Sequence, residues 1–401
     1  MSRKLVPLFD SLEFIQNQTP HNSLTENQIK DFLIAQKFLC SYVGSVGTFN
    51  SYRREIERLL QWVFIVQSKT LQDLKREDIE SFIQFCEKPL RPWIGLKKAP
   101  RFIDKNGLRE PNSQWRPFVA TVTKAAFKKG DKPTLQGFQI SQGALKEIFA
   151  ILSSFFNFLI QEEFMYINPV ALIRQKSKFL RKQQSTQQVR RLSELQWSTV
   201  LNTAHEMALN EPSTHERTLF MMSALYSMYL RISELAASER WIPTMHHFYK
   251  DSNNDWWFTT VGKGNKQRHI AVSDAMLDAL KRWRTFLGLN RLPTPADQTP
   301  LLPKTKGKGP IGSIHYIREI VQKCFDGAIL KLREKNEIEE AENLMVATVH
   351  WLRHTGISDD VKHRPREHVR DDAGHSSSAI TDKYIDIELK ARHRSAKSKR
   401  I

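Results

Sequence analysis

The sequence predicts a mainly α-helical chain of two domains carrying one small antiparallel β-sheet. Three observations support this. Apolar residues recur at helical spacing along most of the chain. Two β-rich runs flank a single Gly/Asn turn, and a polar, basic stretch without periodicity separates two periodic halves. At 401 residues the chain is long enough for two cores. Its formal charge of +18 and pI near 9.7 attract polyanions, of which nucleic acid is the commonest soluble kind.

Residues 1–24, with Asn, Gln, Ser and Pro, read as a loosely ordered N-terminal arm. Helical periodicity begins near Thr25. Phe49, Tyr52, Ile56, Leu59, Leu60 and Val63 share one helix face, with Arg53, Arg54 and Arg58 on its other sides. A further helix over Thr70 to Cys86 turns Leu74, Ile79, Phe82 and Ile83 inward. From Pro89 to Pro133 the pattern dissolves: Pro92, Pro100, Pro111 and Pro117 break it, and Lys97, Lys98, Arg101, Lys105, Arg109 and Arg116 lie among Trp93 and Trp115. Such a stretch is either a loop that places cations on phosphate and aromatics on bases, or an irregular surface excursion. The apolar helix from Leu145 to Glu163 (Ile148, Phe149, Leu152, Phe155, Phe156, Leu159) is expected to stop at Asn168-Pro169.

Residues 181–190, which overlap the end of the run KSKFLRKQQSTQQ, read as an interdomain linker. The second domain spans 191–385. Ser193 caps its first helix, which contains Leu195 and Trp197, and helical character continues through Ser238. Asp255 to Val261 and His269 to Val272 flank the turn Gly262-Lys263-Gly264-Asn265-Lys266 as a hairpin, after which helices resume at Asp274. Residues 386–401 form a basic C-terminal tail.

Several classes are set aside. No run is expected to reach the ~20 apolar residues of a membrane span. The opening Met1-Ser2-Arg3-Lys4-Leu5 has no secretory stretch, so a cytoplasmic, nucleoid-associated protein is expected. Cys40, Cys86 and Cys324 are scattered and show no metal-ligand spacing, which suits buried thiols. No GxxxxGK[ST] phosphate loop occurs. Neither a metal nor a cofactor is expected.

Four local constellations stand out in the second domain. They are Tyr229-Leu230-Arg231-Ile232-Ser233-Glu234-Leu235, the hairpin turn with Lys263, His350-Trp351-Leu352-Arg353-His354-Thr355, and Gly374-His375 with Tyr384 following. Each alone has a bland explanation: a solvated arginine, an ordinary turn, a shared helix face, a core tyrosine. Their order, Arg, Lys, His-x-x-Arg, His, Tyr, resembles the active site of the tyrosine recombinase (phage integrase) family, with Xer-like wording. LRISEL is similar to that family's first arginine motif and GKGNKQR to its β-hairpin lysine motif. HWLRHT is similar to its HxLRHT motif and GHSSSAITDKY to its GHxSxxxTxxY motif. The resemblance covers the second domain and extends more weakly to the first.

It implies a helical core-binding (SAM-like) domain over 25–180 that clamps double-stranded DNA together with a tyrosine recombinase catalytic domain. It also implies catalytic roles for Arg231, Lys263, His350, Arg353, His375 and Tyr384. Exchange between two duplexes implies a homotetramer on paired sites, with room for a partner recombinase or accessory protein. A tail that docks on a neighbouring protomer is implied as well. Candidate DNA contacts are Arg53, Arg54, Lys97, Lys98, Arg101, Lys178, Arg181, Lys182, Lys266 and Arg268.

The chemistry suits those roles. A phosphorane-like state gathers charge on its non-bridging oxygens, and fixed guanidinium forks such as Arg231 and Arg353 stabilise it. A free tyrosine has a pKa near ~10, so Tyr384 must lose its proton as it attacks, and nearby arginines favour the phenolate. Lys263 is the best-placed donor for the departing 5′ oxygen. Two departures from the family pattern stand out. Tyr229 occupies a position where the family commonly has glycine, and the segment from Ile357 to Asp372 is unusually charged. Its aspartates admit a metal-nuclease reading or, alternatively, use as caps and arginine partners. A type IB topoisomerase-like enzyme and a catalytically silent DNA-binding regulator are the rival functions.

Overall fold

The computed structural model describes residues 5–42, 46–176, 179–180, 190–262, 265–375, 377, 381 and 396–397. Contacts divide the chain into two compact units, Met1–Ser185 and Thr186–Ile401.

In the first unit, α1 (Glu26–Cys40) starts from a reciprocal capping box between Thr25 and Gln28. Helix α2 (Val46–Trp62) runs on through a π-helical turn, Val63–Gln67, and ends at Ser68 in the left-handed region (φ 52°). The single helix expected over Thr70 to Cys86 is divided. Asp73 accepts the backbone N–H of Thr70 and Asp78 that of Lys75, so a short 3₁₀ turn (Leu71–Asp73) precedes α3 (Arg76–Glu87). The proline-rich stretch is not structureless. Strand β1 (Ile94–Gly95) pairs in parallel with a later β4 (Phe118–Val119), and β2 (Phe102–Lys105) pairs antiparallel with β3 (Leu108–Pro111). The latter hairpin turns at Asn106-Gly107, both with positive φ, a turn signal that the surrounding prolines obscured. Trp93 and Trp115 are buried, and Arg101 lies 4.8 Å from the Trp115 ring centroid, so neither indole is presented to bases.

After the short α4 (Lys124–Lys128), α5 (Gln142–Gln161) supplies the centre of this unit's core: Leu145, Ile148, Phe149, Leu152, Phe155 and Phe156 are buried, with Phe155 5.2 Å from Phe38. Contrary to expectation, α5 is long and apolar enough to cross a membrane by length and composition. Asn168-Pro169 also starts a helix, α6 (Pro169–Lys176), because Asn168 Oδ1 accepts the N–H groups of Val170 and Ala171.

The expected loose arm is corrected over residues 5–24. Phe9 and Ile15 are fully buried, Gln61 and Gln36 donate to the carbonyls of Val6 and Ile15, and Glu57 accepts the N–H groups of Leu8 and Phe9. Polar side chains thus satisfy the backbone of an extended segment whose apolar residues fill the core.

In the second unit, Ser193 caps α7 (Glu194–Asn210) with Gln196 as its reciprocal partner. Helical character continues, as three successive helices, through α8 (Pro212–Ser227) and the one-turn α9 (Ile232–Leu235). A three-stranded antiparallel sheet follows, ordered β5 (Phe248–Lys250), β6 (Trp256–Val261) and β7 (Gln267–Ala271), with buried Phe258 opposite buried Ile270. β5 is too short to show a period of two in sequence. Then come α10 (Asp274–Phe286), α11 (Ile314–Glu334), α12 (Ile338–Met345), α13 (Val349–Asp360) and α14 (Arg366–Ala373). Gly356 brings α13 onto the end of α8, where a Cβ would lie 2.1 Å from the Tyr226 carbonyl oxygen.

Candidate active site

The site is assembled in the second unit where α9, the β6–β7 hairpin, α13 and the end of α14 meet. Arg231 is the N-cap of α9, and Glu234, three residues on, accepts its backbone N–H at 2.8 Å and its Nη1 at 3.0 Å. The same carboxylate takes Arg268 of β7 in a fork, at 2.6 and 2.7 Å. Burial opposes ionisation of Glu234, but bonds and charge from Arg268 and Arg231 hold its carboxyl below the usual range. Arg353 of α13 is 2% exposed. Its Nη1 donates to the Tyr229 carbonyl and its Nη2 to the Ala373 carbonyl at 2.6 Å.

One turn before Arg353, His350 faces His354 edge-on with ring centroids 4.5 Å apart. Burial, then the charges of Arg353 and Arg231, push the His350 pKa down, so its ring is neutral near pH 7. His375 follows Gly374, which takes the left-handed backbone (φ 64°) that closes α14 and where a Cβ would lie 2.8 Å from Arg268 Cδ. Burial, then Arg353, Arg231, Arg268 and His354, push His375 down to about 4, and its Nδ1 hydrogen-bonds Thr381 Oγ1 at 2.9 Å. Arg231 and Arg353 thus lie close enough to both His350 and His375 to lower their affinity for protons, and the four side chains form one electropositive cluster. Such a cluster fits an anion with several oxygens.

Lys263 and Tyr384 lie outside the described residues. Their neighbours are informative. Gly262, immediately before Lys263, packs where a Cβ would be 3.3 Å from Arg231 Nη1 and 3.1 Å from Glu234 Oε1, so this end of β6 lies against Arg231.

The candidate DNA contacts divide. Lys97, Lys98 and Lys266 are exposed. Arg54 is partly exposed and paired with Glu55 and Glu147. Three others already hold partners inside their own unit. Arg53 donates to the Asp10 carbonyl and to Asn50, Arg101 pairs with fully buried Glu57, and Arg268 is held by Glu234 and the Asp372 carbonyl. Lys178, Arg181 and Lys182 lie outside the described residues.

The aspartates of the charged segment are used as ion-pair partners: Asp359 with Lys362, Asp360 and Asp372 with Arg364, Asp371 with Arg370. Among the described residues no group of three or more His, Cys, Asp or Glu is placed to hold a metal ion. Sequence reasoning missed the bracing role of Glu234, although an acidic residue three after an N-capping position is a capping-box signal. It quoted Thr381 only as part of a motif and Asp372 only as an arginine partner, without the bonds that tie them to His375 and the hairpin.

Residues 190–390 match the family model described as the phage integrase family. A tyrosine recombinase XerC from Actinobacillus pleuropneumoniae serotype 7 (strain AP76) is 27% identical over 209 residues, 52% of this chain. The aligned part spans 59% of that relative's own length. Among solved structures, the XerH site-specific recombinase bound to palindromic difH substrate, a post-cleavage complex, superposes with a TM-score of 0.55 at 13% identity, covering 96% of this chain and 93% of that one. The Tn1549 transposon integrase in complex with transposon right end DNA gives 0.51 at 13% identity, covering 91% and 98%. A lambda integrase tetramer bound to a Holliday junction gives 0.50 at 14% identity, covering 91% and 78%.

Proposed function

The chain belongs to the phage integrase family, and we propose that it is a site-specific DNA recombinase that cuts and rejoins strands through a 3′-phosphotyrosyl intermediate on Tyr384. What supports this reading is the clustering of Arg231, His350, Arg353 and His375, with Gly262 close against Arg231.

In the proposed reaction the Tyr384 phenolic oxygen attacks the scissile phosphorus, and the bond from phosphorus to the 5′ oxygen breaks. Arg231 and Arg353 take the charge that builds on the non-bridging oxygens, and neutral His350 donates one further hydrogen bond. Lys263 protonates the departing 5′ oxygen. The phosphotyrosine conserves the energy of the broken bond, so a 5′-hydroxyl from a second duplex reseals it and the scheme calls for neither ATP nor metal. Duplex exchange calls for four protomers on two paired sites, and the basic tail after residue 385 is assigned to docking on a neighbour. A mobile genetic element is the proposed carrier of the activity, and the cytoplasm, at the nucleoid, its place.

A paired-site assay tests the reading. Two cognate sites on one plasmid should give recombined circles of defined size. Relaxation of supercoils on any plasmid without exchange would favour the topoisomerase alternative. Site-specific protection with no strand breakage would favour the silent regulator.

A further inference from the structure

We infer that Tyr229 is a positioning residue for strand cleavage: its phenol, clamped by Asp360 and Arg364, holds its own carbonyl where that carbonyl orients Arg353. The inference rests on the recombinase reading above.

Tyr229 has a left-handed backbone (φ 50°), a conformation that glycine adopts freely and a large side chain does not. Something must hold it there. Its ring is 1% exposed and packs with Ile357, Val369 and Ala373 between α13 and α14. Its hydroxyl donates to Asp360 Oδ2 and accepts from Arg364 Nη1 at 3.0 Å.

The decisive relation is the path from that hydroxyl. Arg364 Nη2 reaches Asp372 Oδ2 at 2.6 Å, and Ala373 follows Asp372 directly. Two carbonyls that hold the Arg353 guanidinium belong to Tyr229 and Ala373. The bridge Tyr229–Arg364–Asp372 therefore spans the gap between the two acceptors and sets their separation. Asp372 extends it to the hairpin, accepting the Ala271 N–H at 3.3 Å through Oδ1, while its carbonyl takes Arg268 Nε at 2.9 Å. The charged segment is thus the frame of the phosphate clamp. A tyrosine in place of glycine gives that frame a side chain to hold.

Tyr229→Phe removes the hydroxyl and keeps the ring. The test is single-turnover cleavage of a nicked cognate duplex at saturating DNA, in the full chain, with and without Arg353→Lys. The expected result is a loss of about ten-fold for Tyr229→Phe at unchanged DNA affinity, and no further loss in the Arg353→Lys background, since coupled groups are non-additive. Arg364→Gln, at a partly exposed position, should behave the same and serves if Tyr229→Phe does not fold. Wild-type cleavage by both variants, or an equal loss in both backgrounds, overturns the proposal. A second readout needs no cleavage: phenylglyoxal should modify Arg353 faster in Tyr229→Phe than in the parent, as read by mass spectrometry, and an unchanged rate counts against the inference. Should the parent form no DNA adduct at all, the recombinase reading fails while the phenylglyoxal result still decides the positioning of Arg353.

Discussion

Glu234 receives Arg268 as a two-pronged fork, Nη1 on Oε1 at 2.6 Å and Nη2 on Oε2 at 2.7 Å, with both side chains buried. The pair makes Arg268 a brace for Arg231, which hangs on the same carboxylate. Removing one partner of a buried pair costs about 3 kcal/mol or more. Arg268→Ala should therefore lower the melting temperature by several degrees. The slope of log affinity against log salt should not change, because no phosphate contact is lost. A slope reduced by about one with an unchanged melting temperature would return Arg268 to the DNA.

Lysine cannot reproduce a fixed guanidinium fork. Arg231→Lys and Arg353→Lys should each slow cleavage on the order of 10²–10³-fold, the scale of losing one oxyanion donor. Exposed Lys97, Lys98 and Lys266 remain, so DNA affinity should fall far less. Band-shift titration beside single-turnover cleavage separates the two effects. Equal losses would make these arginines ordinary phosphate anchors.

Folding depends on pH through the pocket imidazoles. His354 and His375 are both pushed down from 6.5 to about 4, by burial first and then by neighbouring positive groups. Below pH 6.5 the unfolded chain takes up protons that the folded chain refuses until about 4, so unfolding is favoured as pH falls across that window. The stability of the neutral rings is complete above 6.5 and is lost on acidification toward 4. Melting curves should shift downward between pH 6.5 and 5, and His354→Gln with His375→Gln should flatten the trend. Asp31, pushed up to about 7 by burial, acts in the opposite sense, so a pH trend unchanged in the double variant is the result that would contradict the buried, neutral assignment.

Much of this architecture was legible in the residues themselves. Ser193 and Thr25 mark helix starts, and each accepts a local bond from the third residue on, which sequence spacing records. The Gly262–Lys266 turn between β-rich runs gave the hairpin. Features resting on long-range partners were not legible. Residues 5–24 look polar and loose, yet Glu57, Gln36 and Gln61, from distant helices, satisfy their backbone. Arg101 and Arg268 look like surface cations, and only the fold reveals the buried carboxylates that hold them. Tyr229 was visible as a departure from glycine, but its hydroxyl partners lie more than a hundred residues away.

Lys263 is assigned to protonating the leaving 5′ oxygen. Sulfur at that bridging position makes a leaving group that needs little proton help. Lys263→Ala should cut the sulfur-substituted strand at close to the parent rate and fail on ordinary DNA. No rescue by sulfur would move the role to His350 or Lys266.

The central claim is that Tyr384 is the covalent nucleophile. The direct measurement is trapping on a nicked cognate duplex, followed by denaturing electrophoresis and peptide mapping of the linked residue. The account predicts an SDS-stable adduct joining the 3′ phosphate to Tyr384, absent in Tyr384→Phe while duplex binding persists. An adduct that survives Tyr384→Phe, or one mapped to another residue, would contradict it.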